Sequence, residues 1–416
     1  MIKDSKLLIL SFVVLNLSNW VTVVEIRYGV PHIVKYMLSV FILGVLFYYW
    51  LKHKNKSFPG GMSRILIIIF TFWSIIMLIT AIIEFDDIFY VQRILGQRFF
   101  FIPYILPLLL LFSKFDLDFF RYYFTFTFLF LIMATVMLVF IIGTGLDRGH
   151  WFEQTNRIFI FDIGSGFLLL TAHMTTKKYV SYLAIFYIIC FVFIWTFFGR
   201  RGMLVEYSML LIMMVMIRVR SGLLTRNDRM KIYFSGLILV MLFIGLGYLF
   251  TETYAFQRGF TKSAFEESRG LIFEDFFQDF NTTKDWIIGR GLLGTVSRSI
   301  LGNQDASYIE NGFLNILLKG GLIYALPFIV ILLRASFLGI FKSNNELCSG
   351  LGFLILLHII MMGYFNLPDF SPKYIMIWIS ASSLFDIRFR NLSNEEVLSS
   401  LNASRFLRHR DQKGKN

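Results

Sequence analysis

Apolar runs as long as a bilayer is thick recur along this chain, and no other feature restricts its fold as strongly. The run from Leu7 to Val24 carries no charge, and several later runs approach or exceed the roughly 18 residues that read as a membrane-crossing helix. The composition agrees. A soluble domain is about 45–50% apolar, whereas 56% of these 416 residues are hydrophobic and 49 are phenylalanine. The expected fold is all-α, a polytopic integral membrane protein of about twelve spans. They fall near 7–26, 33–51, 65–83, 98–112, 121–142, 158–174, 180–198, 203–217, 232–250, 313–338, 350–366 and 372–386. No cleaved leader is expected, because the first run is long enough to remain as a span.

Charge sets an orientation for that arrangement. The short basic segments "LKHKNKSFPGGMSR" (51–64), Lys177–Lys178 and "IRVRSGLLTRNDRMK" (217–231) fall on one side, with Lys3, Lys6, Lys342 and the tail "RHRDQKGKN". Such loops belong on the cytoplasmic face, which places both termini there and turns the large segment between spans nine and ten outward. The expected division is a transmembrane bundle over 1–250, an outward loop with an amphipathic helix over 251–312, three spans over 313–386 and a basic cytoplasmic tail over 387–416. The net charge of +13 is then explained by anionic lipid, so nucleic acid is excluded as a partner. Cys190 and Cys348 give neither a disulfide framework nor a metal spacing. No metal or cofactor is expected.

On the outward side arginine outnumbers lysine, with Arg148, Arg157, Arg200, Arg201, Arg258, Arg269, Arg290 and Arg298 among its members. Guanidinium forks match phosphate and carboxylate oxygens in pairs, so these arginines read either as a site for an anionic ligand or as surface and headgroup contacts. "WTFFGRRGMLVEY" (195–207) sets Arg200 and Arg201 at the membrane surface, with Glu206 as their candidate counter-charge. "SAFEESRGLIFEDFFQDF" (263–280) predicts a helix with Phe265, Ile272, Phe273, Phe276, Phe277 and Phe280 on one arc and Arg269 among them. Such a helix lies at the interface or caps the bundle. "WIIGRGLLGTVSRS" (286–299) surrounds Arg290 with glycines but lacks the lysine and hydroxyl of a P-loop. Asp305 or Ser307 is expected to cap the helix that follows.

Taken in order, these segments resemble the superfamily of O-antigen polymerases and O-antigen ligases. Arg200 or Arg201 in "GRRG" is similar to that family's arginine between two spans, and Arg269 before "GRGLLG" to its outer-loop arginine. Where ligases carry a His-Asn pair, this chain has Glu310-Asn311, a departure that favours the polymerase side. The resemblance implies a bacterial inner-membrane enzyme that joins undecaprenyl-diphosphate-linked repeat units at the periplasmic face. A ligase and a flippase are the alternatives, and the implied partners are that lipid-linked oligosaccharide, the bilayer and a chain-length regulator. Arg200 or Arg201 and Arg269 would stabilise the departing diphosphate. Glu310 would accept a proton, orient a sugar or arginine, or merely begin a helix. Arg148, Arg157, Arg258, Arg290, Arg298, Asp305 and Asn311 complete the expected binding set.

"YIENGFLNILLKGG" (308–321) adds a constraint of depth. The helical rise from Glu310 to Lys319 is about 13.5 Å, so a start at the membrane surface would sink Lys319 into hydrocarbon, which is costly. The helix is expected to begin above the bilayer, bend or pack closely at Gly320–Gly321 and enter the membrane near Leu322.

Overall fold

The computed structural model describes residues 2–28, 33–54, 62–84, 100–143, 165–171, 174, 182–186, 188–189, 201–220, 269–298, 304–364 and 367–402. Helices α1 (Ile2–Tyr28), α2 (Ile33–Lys52), α3 (Met62–Ile83), α4 (Ile102–Leu110), α5 (Leu117–Gly143), α6 (Ser165–Thr171) and α7 (Arg201–Arg220) precede a small polar unit. That unit comprises α8 (Arg269–Asp279), α9 (Thr283–Ile288), β1 (Val296–Arg298) and β2 (Gln304–Ala306). After it come α10 (Gly312–Phe341), α11 (Glu346–Met362), α12 (Pro372–Phe385), α13 (Ile387–Arg390) and α14 (Asn394–Asn402). The strands pair antiparallel, Val296 facing Ala306 and Arg298 facing Gln304. This hairpin corrects the all-α expectation; the remaining elements are helical.

Side-chain caps fix where the later helices begin. Asn311 Oδ1 accepts the N–H groups of Phe313 and Leu314, Asn345 that of Cys348, and Ser371 that of Tyr374, with Pro372 at the first helical position. The cap of α10 is therefore Asn311, not Asp305 or Ser307. Asn311 Nδ2 also donates to the Gly363 carbonyl at 2.7 Å, tying the start of α10 to the end of α11.

The expectation of twelve spans is overturned. Among the described residues three helices are long and apolar enough to cross a membrane: Ile33–Lys52, Ser63–Ile83 and Gly312–Phe341. The physical reason is clearest in α12. All of its 14 residues except Lys373 are buried, and it packs on α4, α10 and α11. A helix apolar on every side is what a protein core also demands. Trp378 at its middle stacks on Phe70 and meets Phe328 and Tyr374 edge-on. The run expected at 350–366 is likewise a 17-residue helix with most of its side chains buried. The short run at 98–112 gives the 9-residue α4, and that at 203–217 falls within the 20-residue α7, which is not among the three. The span expected at 232–250 lies outside the described residues, as does most of those at 158–174 and 180–198.

The two-sided register fails with the span count. The multi-pass inner-membrane placement with both termini cytoplasmic, read from twelve crossings, does not follow from three. Glu206 pairs with Lys373, joining α7 to α12; the side chains of Arg200 and Arg201, its expected partners, lie outside the described set.

Candidate functional site

Helix α10 is broken. Gly321 has φ 61° and ψ −168°, a conformation essentially confined to glycine, so the bend expected of the glycine pair is present. A break frees carbonyls that a continuous helix would use. Two are taken up from outside. The Arg290 N–H donates to the Leu318 carbonyl at 2.7 Å, and the Trp73 indole Nε1–H to that of Gly320 at 2.9 Å. Gly289, at φ 73°, ends α9 against the same point. A Cβ on Gly289 would stand 2.6 Å from the Gly321 nitrogen, and one on Gly321 would strike the Ile287 carbonyl. Two main chains cross here at a distance that side chains forbid.

Above the break sits the polar cap formed by α8, α9 and the hairpin. Its small core unites Phe276, Phe280, Val296 and Ile309 with Leu314 and Leu318 of α10. Arg290 is the cap's internal tie. It reaches Asp279 Oδ2 at 2.5 Å, Asp285 Oδ2 at 3.1 Å and the carbonyls of Thr295 and Asp279 at 2.8 and 2.7 Å. The guanidinium beside Asp285 holds that carboxyl below the usual carboxylate range, and the two carboxylates raise Arg290 further.

Lys319 occupies the underside of this cap, 1% exposed. Its Nζ donates to the Gly294 carbonyl at 2.7 Å and lies 5.4 Å from the centre of the Phe100 ring. No acidic side chain pairs with it among the described residues. One turn earlier on the same face, Asn315 is wholly buried. Its Oδ1 accepts the Ile309 N–H at 3.2 Å, while its Nδ2 has no partner among the described residues. Two hydrogen-bond donors thus share a buried surface, and burial pulls the Lys319 amine down to a pKa of about 7.

The residues expected to form the site are distributed unevenly. Arg290, Arg298, Asp305, Glu310 and Asn311 all fall in the cap or at its junction with α10. Arg290 is consumed by the cap's carboxylates. Arg298 donates to the Tyr308 carbonyl at 2.5 Å and lies over the Tyr308 ring. Asp305 is exposed in β2 and accepts from Thr295 Oγ1 at 3.4 Å. Glu310 is exposed. Arg201 and Arg269 are the first residues of α7 and α8, their side chains outside the described set. Arg148, Arg157, Arg200 and Arg258 lie outside the described residues. Sequence reasoning missed Asn315 and the binding role open to Lys319. The signal available was their spacing of four within an apolar helix.

No family model, curated protein or solved structure matches the chain. The likeness to the polymerase and ligase superfamily therefore rests on the quoted motifs. The polymerase function that it implies is corrected here, with its ligase and flippase alternatives. A periplasm-facing polytopic enzyme needs an extensive set of spans, and the three candidate helices among the described residues do not supply it.

Proposed function

We propose that the broken helix and its cap form a binding site for a phosphate-bearing lipid. α2, α3 and α10 would cross a bilayer, and the anionic head would lie against Lys319 and Asn315. The observation that carries this reading is the buried Lys319 amine, which has no carboxylate beside it among the described residues. Burial disfavours the charged form of Lys319, and an anionic ligand would restore that charge while also satisfying Asn315 Nδ2. The twenty residues from Leu322 to Phe341 extend about 30 Å as helix, the thickness of the hydrocarbon layer. Lys319 would then stand at headgroup level, where a lipid phosphate lies. The motif resemblance supports the choice of a prenyl diphosphate as the ligand class.

Calorimetry on the full chain in detergent tests the proposal, with farnesyl diphosphate and inorganic pyrophosphate as separate probes. A hydrogen bond to a charged group contributes about 1.5–3 kcal/mol, so Lys319→Met is expected to weaken farnesyl diphosphate binding about 10- to 100-fold. Lys319→Arg should retain part of it. Unchanged binding by a folded Lys319→Met protein would reduce Lys319 to a strut for the Gly294 carbonyl and end the proposal. Equal affinity for pyrophosphate would make the free anion, not the lipid, the ligand.

A further inference from the structure

The cap helix α8 is asymmetric in a way that its sequence arc does not convey. Phe276 and Phe280 are buried in the cap core. Phe273 and Phe277, on the adjoining flank, are 40% and 51% exposed. The opposite flank carries Asp279, bound to Arg290, and the outer face carries exposed Glu274 and Gln278. One flank of α8 is therefore greasy and uncovered while the rest is either buried or polar.

That flank is not isolated. Phe277 stacks on Trp286 of α9, ring centres 6.1 Å apart, and the next residue, Ile287, is also exposed. The Ile287 carbonyl abuts Gly321, and Leu322 begins the exposed apolar stripe of α10 that continues through Leu326, Val330 and Phe337. The uncovered edge of the cap thus runs directly into the surface that faces lipid if α10 crosses a bilayer. With about 30 Å of helix below Gly321, this edge lies at the outer limit of the hydrocarbon, the level at which aromatic side chains concentrate.

We infer that the edge formed by Phe273, Phe277, Trp286 and Ile287 docks on a lipid surface, seating the cap in the bilayer interface. The inference rests on the bilayer-crossing reading of α10 and is independent of anion binding at Lys319. The partner is lipid rather than another protein chain because the edge is continuous with a stripe that spans the hydrocarbon. The polar face with Glu274 and Gln278 is turned to water.

The test uses the full chain with Cys190→Ser and Cys348→Ala, carrying Phe277→Cys or Gln278→Cys labelled with an environment-sensitive fluorophore. Each protein is reconstituted into phosphatidylcholine vesicles with or without lipids spin-labelled near the headgroup. The label at 277 is expected to emit to the blue of that at 278 and to be quenched at least twofold more by the spin-labelled lipid. Phe273→Cys gives a second reading if the label at 277 disturbs folding. Equal emission and quenching at 277 and 278 would overturn the inference. A label at 277 shielded from water yet untouched by lipid quencher would also overturn it, since the edge would then be covered by protein. Neither result bears on farnesyl diphosphate affinity, so this failure is separable from failure of the proposed site.

Discussion

Gly321 and Gly291 both have positive φ, but their surroundings separate two effects of a side chain. At Gly291 a Cβ would meet open space, whereas at Gly321 it would strike the main chain of α9. Backbone strain alone costs about 1–3 kcal/mol. Gly291→Ala is therefore expected to lose about that much, while Gly321→Ala loses more and detaches the cap. Thermal unfolding in detergent and protease sensitivity between 269 and 311 measure the two. Comparable losses would mean that the crossing of α9 and α10 is not the constraint. Asn311 shows a second residue-scale lesson. Its cap and its bond to Gly363 account for it structurally, and the neighbouring exposed Glu310 has no comparable tie among the described residues.

At the scale of elements, the cap is held by one arginine between two carboxylates. Asp285 has a lowered pKa in the folded protein because Arg290 favours its charged form. A group of this sign contributes its stability in full above its unfolded pKa, about 3.9, and loses it as pH falls through the folded value. The protection of α9 and β1 amides, hydrogen-exchange rates being taken relative to intrinsic exchange at each pH, is expected to be constant from pH 7 to about 5 and to fall below about 4. Asp285→Asn should already show the lower protection at neutral pH. Much of this unit was legible: the helix within 263–280, the glycine punctuation and the bend before Leu322 can all be read from the chain. The division of the phenylalanine arc was not, because periodicity identifies an apolar side without saying which half another element will cover. The Trp73 bond to Gly320 was beyond reach for a different reason, since no local pattern connects positions 247 apart.

At the scale of the whole molecule, the spans expected at 350–366 and 372–386 fail for one reason. Hydropathy is blind to whether an apolar helix is surrounded by lipid or by protein, and α11 and α12 have mainly protein around them. Their interior also contains polar atoms of two kinds. The Tyr104 hydroxyl is buried and has no hydrogen-bond partner among the described residues, whereas Glu206 is bound to Lys373. Removing an unsatisfied buried hydroxyl can be neutral or stabilising, but removing one member of a buried ion pair costs about 3–5 kcal/mol. Tyr104→Phe is expected to stay within about 1 kcal/mol of wild type, a range typical of a change without a new unsatisfied group. Glu206→Leu is expected to unfold at markedly lower temperature. Similar losses in both variants would contradict this division of the core.

The indole that closes the bend has a consequence in time. Helix α3 ends at Ile83, yet the Gly320 carbonyl that accepts the Trp73 indole N–H belongs to a residue made much later in synthesis. Closing so long a loop is entropically costly. The crossing of α9 and α10 can therefore be locked only after most of the chain exists. A protein stalled before residue 320 would have its first long apolar helices and its cap, but no joint between them.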